Sequence, residues 1–368
     1  MNNTTSPKPP HVIIVGAGVA GLLLAILLKR ANITFDIYER ARTVKPLASV
    51  KHLAEGGVQI QCDDNTSYTG DILVGADGAY SSVRQSIYKD LSEQDKLPFS
   101  DSQGLKIGYI NMVGTTDPLD EETYPALKDN FTHFNFIIGN GKPYTWSTFT
   151  VPGKKICWGA QIQLKATTSE DRTFKNAEWG PEGNEAMIKD IYNFATPYGP
   201  LGQFIDKTPR ERISKVFLEE KMFETWHNGR VVLIGDGNML PSAGQGAVNA
   251  MQDAVILANC LYDIANNPTS DNITAAFQDF KDQRYPHVKH QFDLSKTMAK
   301  VIYGQTWSER LLRRIVFGYL PKSVLHKDTI KAAAYRPQCV FLPLTPNYGT
   351  HQPLPQKPSK RYTEEQAI

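Results

Sequence analysis

The chain opens on an apolar run without alternation. Residues 11–15, HVIIV, have the pattern of a parallel strand covered on both faces. Residues 12–28 carry no charge, but three glycines split the run into a β-branched half and a leucine half. That split predicts strand, turn and helix in place of a membrane anchor. The helix ends in Lys29 and Arg30, which suit the negative end of its dipole, and Asn32 offers a left-handed stop. A second strand is predicted over 34–38, and further short apolar runs over 58–62 and 72–74. Another buried strand runs over 229–234.

From 99 to 164 the pattern changes. Short apolar runs at 105–110, 132–138, 144–149 and 156–164 are separated by Asp-Pro, Gly-Asn-Gly-Lys-Pro and Pro-Gly-Lys-Lys, which predicts an antiparallel sheet. Its aromatics Phe134, Phe136, Trp146, Phe149 and Trp158 are expected mostly in the core, and His133 and Tyr144 as ordinary edge residues. An amphipathic helix over 186–194 would cover that sheet. Helices follow from about 246 to 261 and from 273 onward. The segment 309–321 sets Arg310, Arg313 and Arg314 beside a leucine face. Such a helix can lie on a membrane surface, a weak contact, though packing on the domain is its expected use. The last twenty residues, rich in Pro, Lys and Gln, read as a frayed tail.

Composition narrows the function. With 40 Lys and Arg against 38 Asp and Glu, no basic excess points to nucleic acid. Cys62, Cys157, Cys260 and Cys339 are too scattered for a zinc cluster or a redox pair, so no metal is expected. The cysteines fit a reduced, cytoplasmic setting, peripheral to a membrane if the basic helix is used that way.

Three segments carry candidate chemistry. Gly16, Gly18 and Gly21 fit GxGxxG between the first strand and its helix. The first glycine permits the tight turn, the second admits a pyrophosphate, and the third lets helix and strand pack closely. Glu39, at the end of the second strand, is placed to accept the ribose hydroxyls of an adenosine. NAD and FAD both use this unit. The second segment, GDILVGADGAYSSVR at 70–84, ends a strand in Asp77-Gly78 and opens a helix carrying Ser81 and Arg84. Taken alone, Asp77-Gly78 is a turn and Ser81 a helix cap. In the third, Asp236 at a strand tip precedes Gly244, Gly246 and Ala247, where a glycine-rich helix start leaves N–H groups open to a phosphate or an electron-rich ring edge.

Together, VIIVGAGVAGLLLAILL, GDILVGADGAYSSVR, LPSAGQGAVNAMQDA and the later YRPQCVFLP resemble the FAD-dependent monooxygenases of the p-hydroxybenzoate hydroxylase type. The wording is most similar to their fungal secondary-metabolism branch, which includes paxilline-type epoxidases. The resemblance implies an α/β fold (α+β overall). A Rossmann-like FAD-binding domain would be built from 1–98 and 226–305, with an inserted antiparallel-sheet substrate lobe over 99–225 and C-terminal helices and tail over 306–368. It implies FAD held by Gly16, Gly18, Gly21, Glu39, Asp77, Arg84, Asp236, Gly244, Gly246 and Ala247, with NAD(P)H, O2 and a small apolar substrate as partners. The implied reaction is hydroxylation or epoxidation through an oxygen adduct at flavin C4a. The alternatives are a degenerate, non-catalytic relative with impaired FAD binding, and a reductase or halogenase on the same scaffold.

Two departures motivate the degenerate reading. Asp77 follows Glu39 by only 38 positions, where the family holds a longer stretch with an Arg-Pro-x-Leu element. The segment 235–241, GDGNMLP, is also shorter than the family's Gly-Asp-Ala-x-His form and lacks the histidine. The short span predicts lost apolar burial against the first helix and the antiparallel sheet, and with it weak FAD binding or marginal stability.

Overall fold

A computed structural model describes residues 9–39, 47–139, 143–163, 181–240, 245–304, 306–321, 327, 330–347 and 349–366. The chain divides into two compact units. The first comprises Met1–Gln103, Lys221–Leu294 and Pro321–Ile368, and the second Gly104–Glu220 and Ser295–Leu320. Residues up to Leu320 of the C-terminal stretch thus group with the second unit, and those from Pro321 with the first.

In the first unit, β1 (Val12–Val15), β2 (Phe35–Tyr38), β6 (Ile72–Gly75) and β13 (Val231–Leu233) lie parallel in the order β13-β6-β1-β2, with the two-residue β12 (His227–Asn228) as an antiparallel edge. Val15 stands level with both Tyr38 and Gly75, and Gly75 with Leu233, so the strands end at a common level. Alternation along these strands divides two cores. Val12, Ile14, Ile72, Val74 and Val232 face α1 (Val19–Arg30) and α4 (Gly246–Ile264). Ile13, Leu73, Val231 and Leu233 face Val83 and Ile87 of α2 (Ser82–Glu93).

The second core is completed by a three-stranded antiparallel sheet, β3 (Leu47–His52), β4 (Val58–Cys62) and β5 (Ser67–Gly70), through Val50, Val58 and Ile60. The short span after Glu39 therefore brings its own cover to one face of the parallel sheet. Each fully buried aliphatic there contributes about 1.5–3 kcal/mol of transfer free energy. Among the described residues the outer side of α1 has no such cover, and Val19, Leu22 and Ile26, spaced along one helical stripe, are exposed. Asn32 has the expected left-handed backbone, at φ 56°.

The second unit is built on an antiparallel sheet. β7 (Lys106–Thr115), β8 (Phe134–Ile138), β9 (Tyr144–Val151), β10 (Lys155–Gln163) and β11 (Ser214–Met222) take the order β11-β7-β10-β9-β8. α3 (Pro181–Ile191) closes its core through Met187, Ile188 and Ile191. Trp158 is wholly buried across from Gly114, where an added Cβ would stand 2.5 Å from the indole. Trp146 is also core, whereas Phe134 and Phe136 are exposed.

α5 (Ser270–Tyr303) and α6 (Trp307–Tyr319) follow, and the chain ends in α7 (Lys360–Gln366). The expectation of a frayed tail is corrected within the described residues. Lys357 pairs with Asp279 at 2.6 Å, the Gln356 side chain accepts from the Gln338 amide and donates to the Gln338 carbonyl, and Ser359 donates to Asp263. Proline removes backbone donors from this stretch, and Asp263 and Asp279 of the first unit accept from Ser359 and Lys357. Among the described residues no helix is long and apolar enough to cross a membrane.

Candidate cofactor-binding site

The tips of β1, β2, β6 and β13 carry Gly16, Glu39, Asp77 and Asp236. These are the carboxyl ends of parallel strands, where open α/β sheets bind their ligands. Gly16 turns left-handed at φ 106°, and a Cβ there would strike the Ala76 carbonyl at 2.3 Å. At Gly21 a Cβ would meet the Gly16 carbonyl at 1.9 Å, so helix and turn interlock. Gly18 differs, since nothing stands within 4 Å of its Cβ position. It caps α1 without a side-chain acceptor. The first amides of α1 therefore open onto free space, the arrangement that receives a phosphate.

Glu39 reaches this turn from β2, and its Oε2 accepts from the Ala17 amide at 2.6 Å. The carboxylate thus stands beside the phosphate turn. A cavity of about 350 Å³ lies there, with Gly16, Gly18, Glu39 and Asp77 at its polar side and Leu47, Ile60 and Cys62 at its apolar side.

Asp77 borders the same cavity, but its oxygens hold the start of α2. One accepts from Ser81 Oγ at 2.5 Å, and the other from the Ser82 amide at 2.6 Å. Ser81 caps the helix as its sequence position predicts, accepting from the Arg84 amide at 2.9 Å. Burial raises Asp77 above the ordinary carboxylate range, although these donors pull the other way. Arg84 is buried. Its guanidinium donates to the carbonyls of Ala79 at 2.6 Å and Gly237 at 3.2 Å, and lies 4.1 Å from the centre of the Phe223 ring. It ties the turn after β6 to the turn after β13.

That second turn, Gly235–Gly237, is held from its other side by a network that the motifs do not reveal. Asp253 of α4 accepts from the Gly235 amide at 2.9 Å and from Asn238 Nδ2 at 3.0 Å. Its other oxygen accepts from Arg284 Nε at 2.6 Å, and Arg284 also donates to Asn249 Oδ1 at 3.0 Å. One sequence signal was available, because Asp253 is the only charge between 246 and 261. Arg284 sits in a charged helix and gives none.

The Asp236 carboxyl lies at the first turn of α4, where a Cβ on Gly246 would stand 3.3 Å from Asp236 Oδ1. Burial, then the charge of Asp253, raises its pKa, and Arg84 opposes this. α4 begins at Gly246 and Ala247 with no side-chain cap, leaving its amides available. Gly244 lies outside the described residues. The structure thus brings together the turns bearing Gly16, Gly18, Glu39, Asp77 and Asp236 at one sheet edge. Arg84 it places between the turns after β6 and β13.

Comparison with known proteins gives a consistent result. Residues 50–295 match the family described as FAD binding domain, and residues 14–63 match an NAD(P)-binding Rossmann-like domain. The FAD-dependent monooxygenase prhF of Penicillium brasilianum is 28% identical over 343 residues, covering 88% of this chain and 68% of the relative. The FAD-dependent monooxygenase esdpE of Penicillium shearii is 26% identical, covering 94% and 71%. Among solved structures, Klebsiella pneumoniae HpxO complexed with FAD and uric acid superposes with a TM-score of 0.66 at 18% identity, over 88% of this chain and 96% of that one.

Proposed function

The chain belongs to the FAD binding domain family, and on that premise we propose that it is an FAD-dependent monooxygenase that uses NAD(P)H and O2 to hydroxylate or epoxidise an apolar natural-product intermediate. The observation that carries this reading is the convergence of four strand tips on one edge. An open phosphate turn, an adjoining carboxylate and a second turn at a helix start are the parts a dinucleotide of FAD's length needs. The named fungal relatives support the reaction class.

The residues fit the cofactor. The α1 amides around Gly18 would take the pyrophosphate, and Glu39 the adenosine ribose. Asp236 would take a ribityl hydroxyl, and the α4 amides at Gly246 and Ala247 the electron-rich edge of the flavin. Bound FAD supplies hydride acceptance from NAD(P)H and oxygen activation. The chain's own groups supply position and charge. The positive end of α4 favours negative charge on its ligand. Asp236, raised by burial, holds a proton on its carboxyl more readily than an exposed aspartate. Asp77 and Arg84 hold the two turns on which these contacts depend.

The test is purification of the chain with and without added FAD, followed by flavin absorbance and NADH- or NADPH-dependent oxygen uptake. A yellow protein that consumes reduced nicotinamide supports the proposal. A folded protein that takes up no FAD would establish the degenerate relative in its place.

A further inference from the structure

α6 packs the wrong way round for a helix of a folded core. Its inward side is largely polar. Val316 is its buried residue, and Arg313 anchors it by donating Nε to the Val301 carbonyl at 2.8 Å and a second nitrogen to the Gly304 carbonyl. The opposite side carries Trp307, Leu311, Ile315 and Tyr319, one every fourth residue, with Leu312 alongside. Trp307 is 79% exposed and Tyr319 74%. A stripe at this spacing normally faces a core, and an exposed apolar ridge of this kind marks an interaction surface. Arg310 and Arg314, both exposed, run along one edge of the ridge. The helix holds three arginines and one glutamate, Glu309, which forms a capping box with Thr306.

We propose that α6 is a membrane-surface element that seats this ridge in the outer boundary of an anionic leaflet, with Arg310 and Arg314 at the headgroups. Charge complementarity selects the lipid. Arginines flanking an apolar stripe match anionic headgroups over acyl chains, and Trp307 and Tyr319 place aromatic rings with polar edges at the two ends of the helix, as interfacial helices do. A second copy is a poorer match, because pairing two such ridges would set like charges beside one another. The contact lies on the surface and needs no spanning segment. It is independent of the proposed chemistry.

The experiment is co-sedimentation of the full chain with vesicles of phosphatidylcholine alone and of phosphatidylcholine with about 30% phosphatidylserine. Two variants accompany it, Arg310→Gln with Arg314→Gln, and Leu311→Asp with Ile315→Asp. Thermal melting is measured for both, so that a loss of folding is told apart from a loss of binding. The proposal expects binding to the anionic vesicles only, weakened by salt. Binding should fall on the order of 30-fold in the arginine variant and disappear in the aspartate variant. No preference for phosphatidylserine, or binding untouched by either variant, would overturn it. So would a concentration-dependent dimer that the aspartate variant abolishes without any vesicle binding, which would assign the ridge to a second copy.

Discussion

Replacing Arg284 by methionine tests whether the turn after β13 is held as described. Arg284 and Asp253 are 0% and 1% exposed, and their Nε–Oδ1 distance is 2.6 Å. Removing the cation leaves a buried carboxylate with the Gly235 amide and the Asn238 side chain as its remaining donors. Asn249 Oδ1 loses a donor as well. Stripping one partner from such a pair costs about 3–5 kcal/mol. At roughly 2–4 °C per kcal/mol for a domain of this order, the melting temperature should fall by about 6–20 °C. The double variant Arg284→Met with Asp253→Leu buries no charge and should melt well above the single variant. It still deprives the Gly235 amide of its acceptor, so FAD titration by flavin fluorescence should remain weakened about tenfold or more, a loss of at least ~1.4 kcal/mol. Stability and cofactor affinity are thereby separated. A single variant that melts with the parent, or a double variant that regains both properties, would refute the reasoning.

Three further outcomes follow from the same edge and its surroundings. Glu39→Ala should weaken FAD by the worth of one or two hydrogen bonds, about 1–3 kcal/mol, and an unchanged affinity in apoprotein titration would remove Glu39 from the site. Gly16→Ala, whose Cβ would lie 2.3 Å from the Ala76 carbonyl, should lower both melting temperature and flavin content; a normal value of either contradicts the packing. Burial lowers the imidazoles of His52, His227 and His287 below their ordinary 6.5. They stay neutral in the fold while the unfolded chain takes up protons, so their stabilisation is full above 6.5 and is lost as pH falls toward the folded values. Asp77 and Asp236, raised from 3.8, act in the opposite sense as pH rises from that value, so His227→Gln is needed to isolate the imidazole part. That variant should flatten the fall in melting temperature between about pH 7.5 and 5.5, and an unchanged slope would discount His227.

The parallel sheet was legible because its strands are covered on both faces and read as unbroken apolar runs, with glycine or aspartate at each tip. The meander of β8 to β10 was legible for the opposite reason, since its turns are marked by proline and glycine. β3 escaped notice because LASVKH mixes polar and apolar residues and gains meaning only when Val50 joins the core that holds Ile13 and Val83. β11 was hidden likewise, with SKVFLEEKM carrying four charges. Within the site, Gly16, Gly18 and Glu39 could be read from their spacing. The same spacing does not disclose that the Asp77 oxygens hold α2, or that Arg84 clasps carbonyls 150 or so positions away. Those roles come from tertiary approach. The expected loss of burial after Glu39 is met on one face by β3–β5, while the stripe Val19, Leu22 and Ile26 remains open on the other side of α1.

The wedge of Gly16 against Ala76 has an evolutionary consequence. Two motifs sixty residues apart share one contact, so neither can drift alone: a side chain at 16 pushes the turn after β6, and a shifted backbone at 76 closes the space that glycine leaves. Selection on cofactor binding at the first turn therefore also constrains the second, even where the second touches no ligand. An insertion or deletion between them escapes that constraint as long as β1 and β6 keep their register. Between them, the connections of β3, β4 and β5 can change length more readily than the strands, whose Val50, Val58 and Ile60 cover the parallel sheet, while the two turns are constrained together.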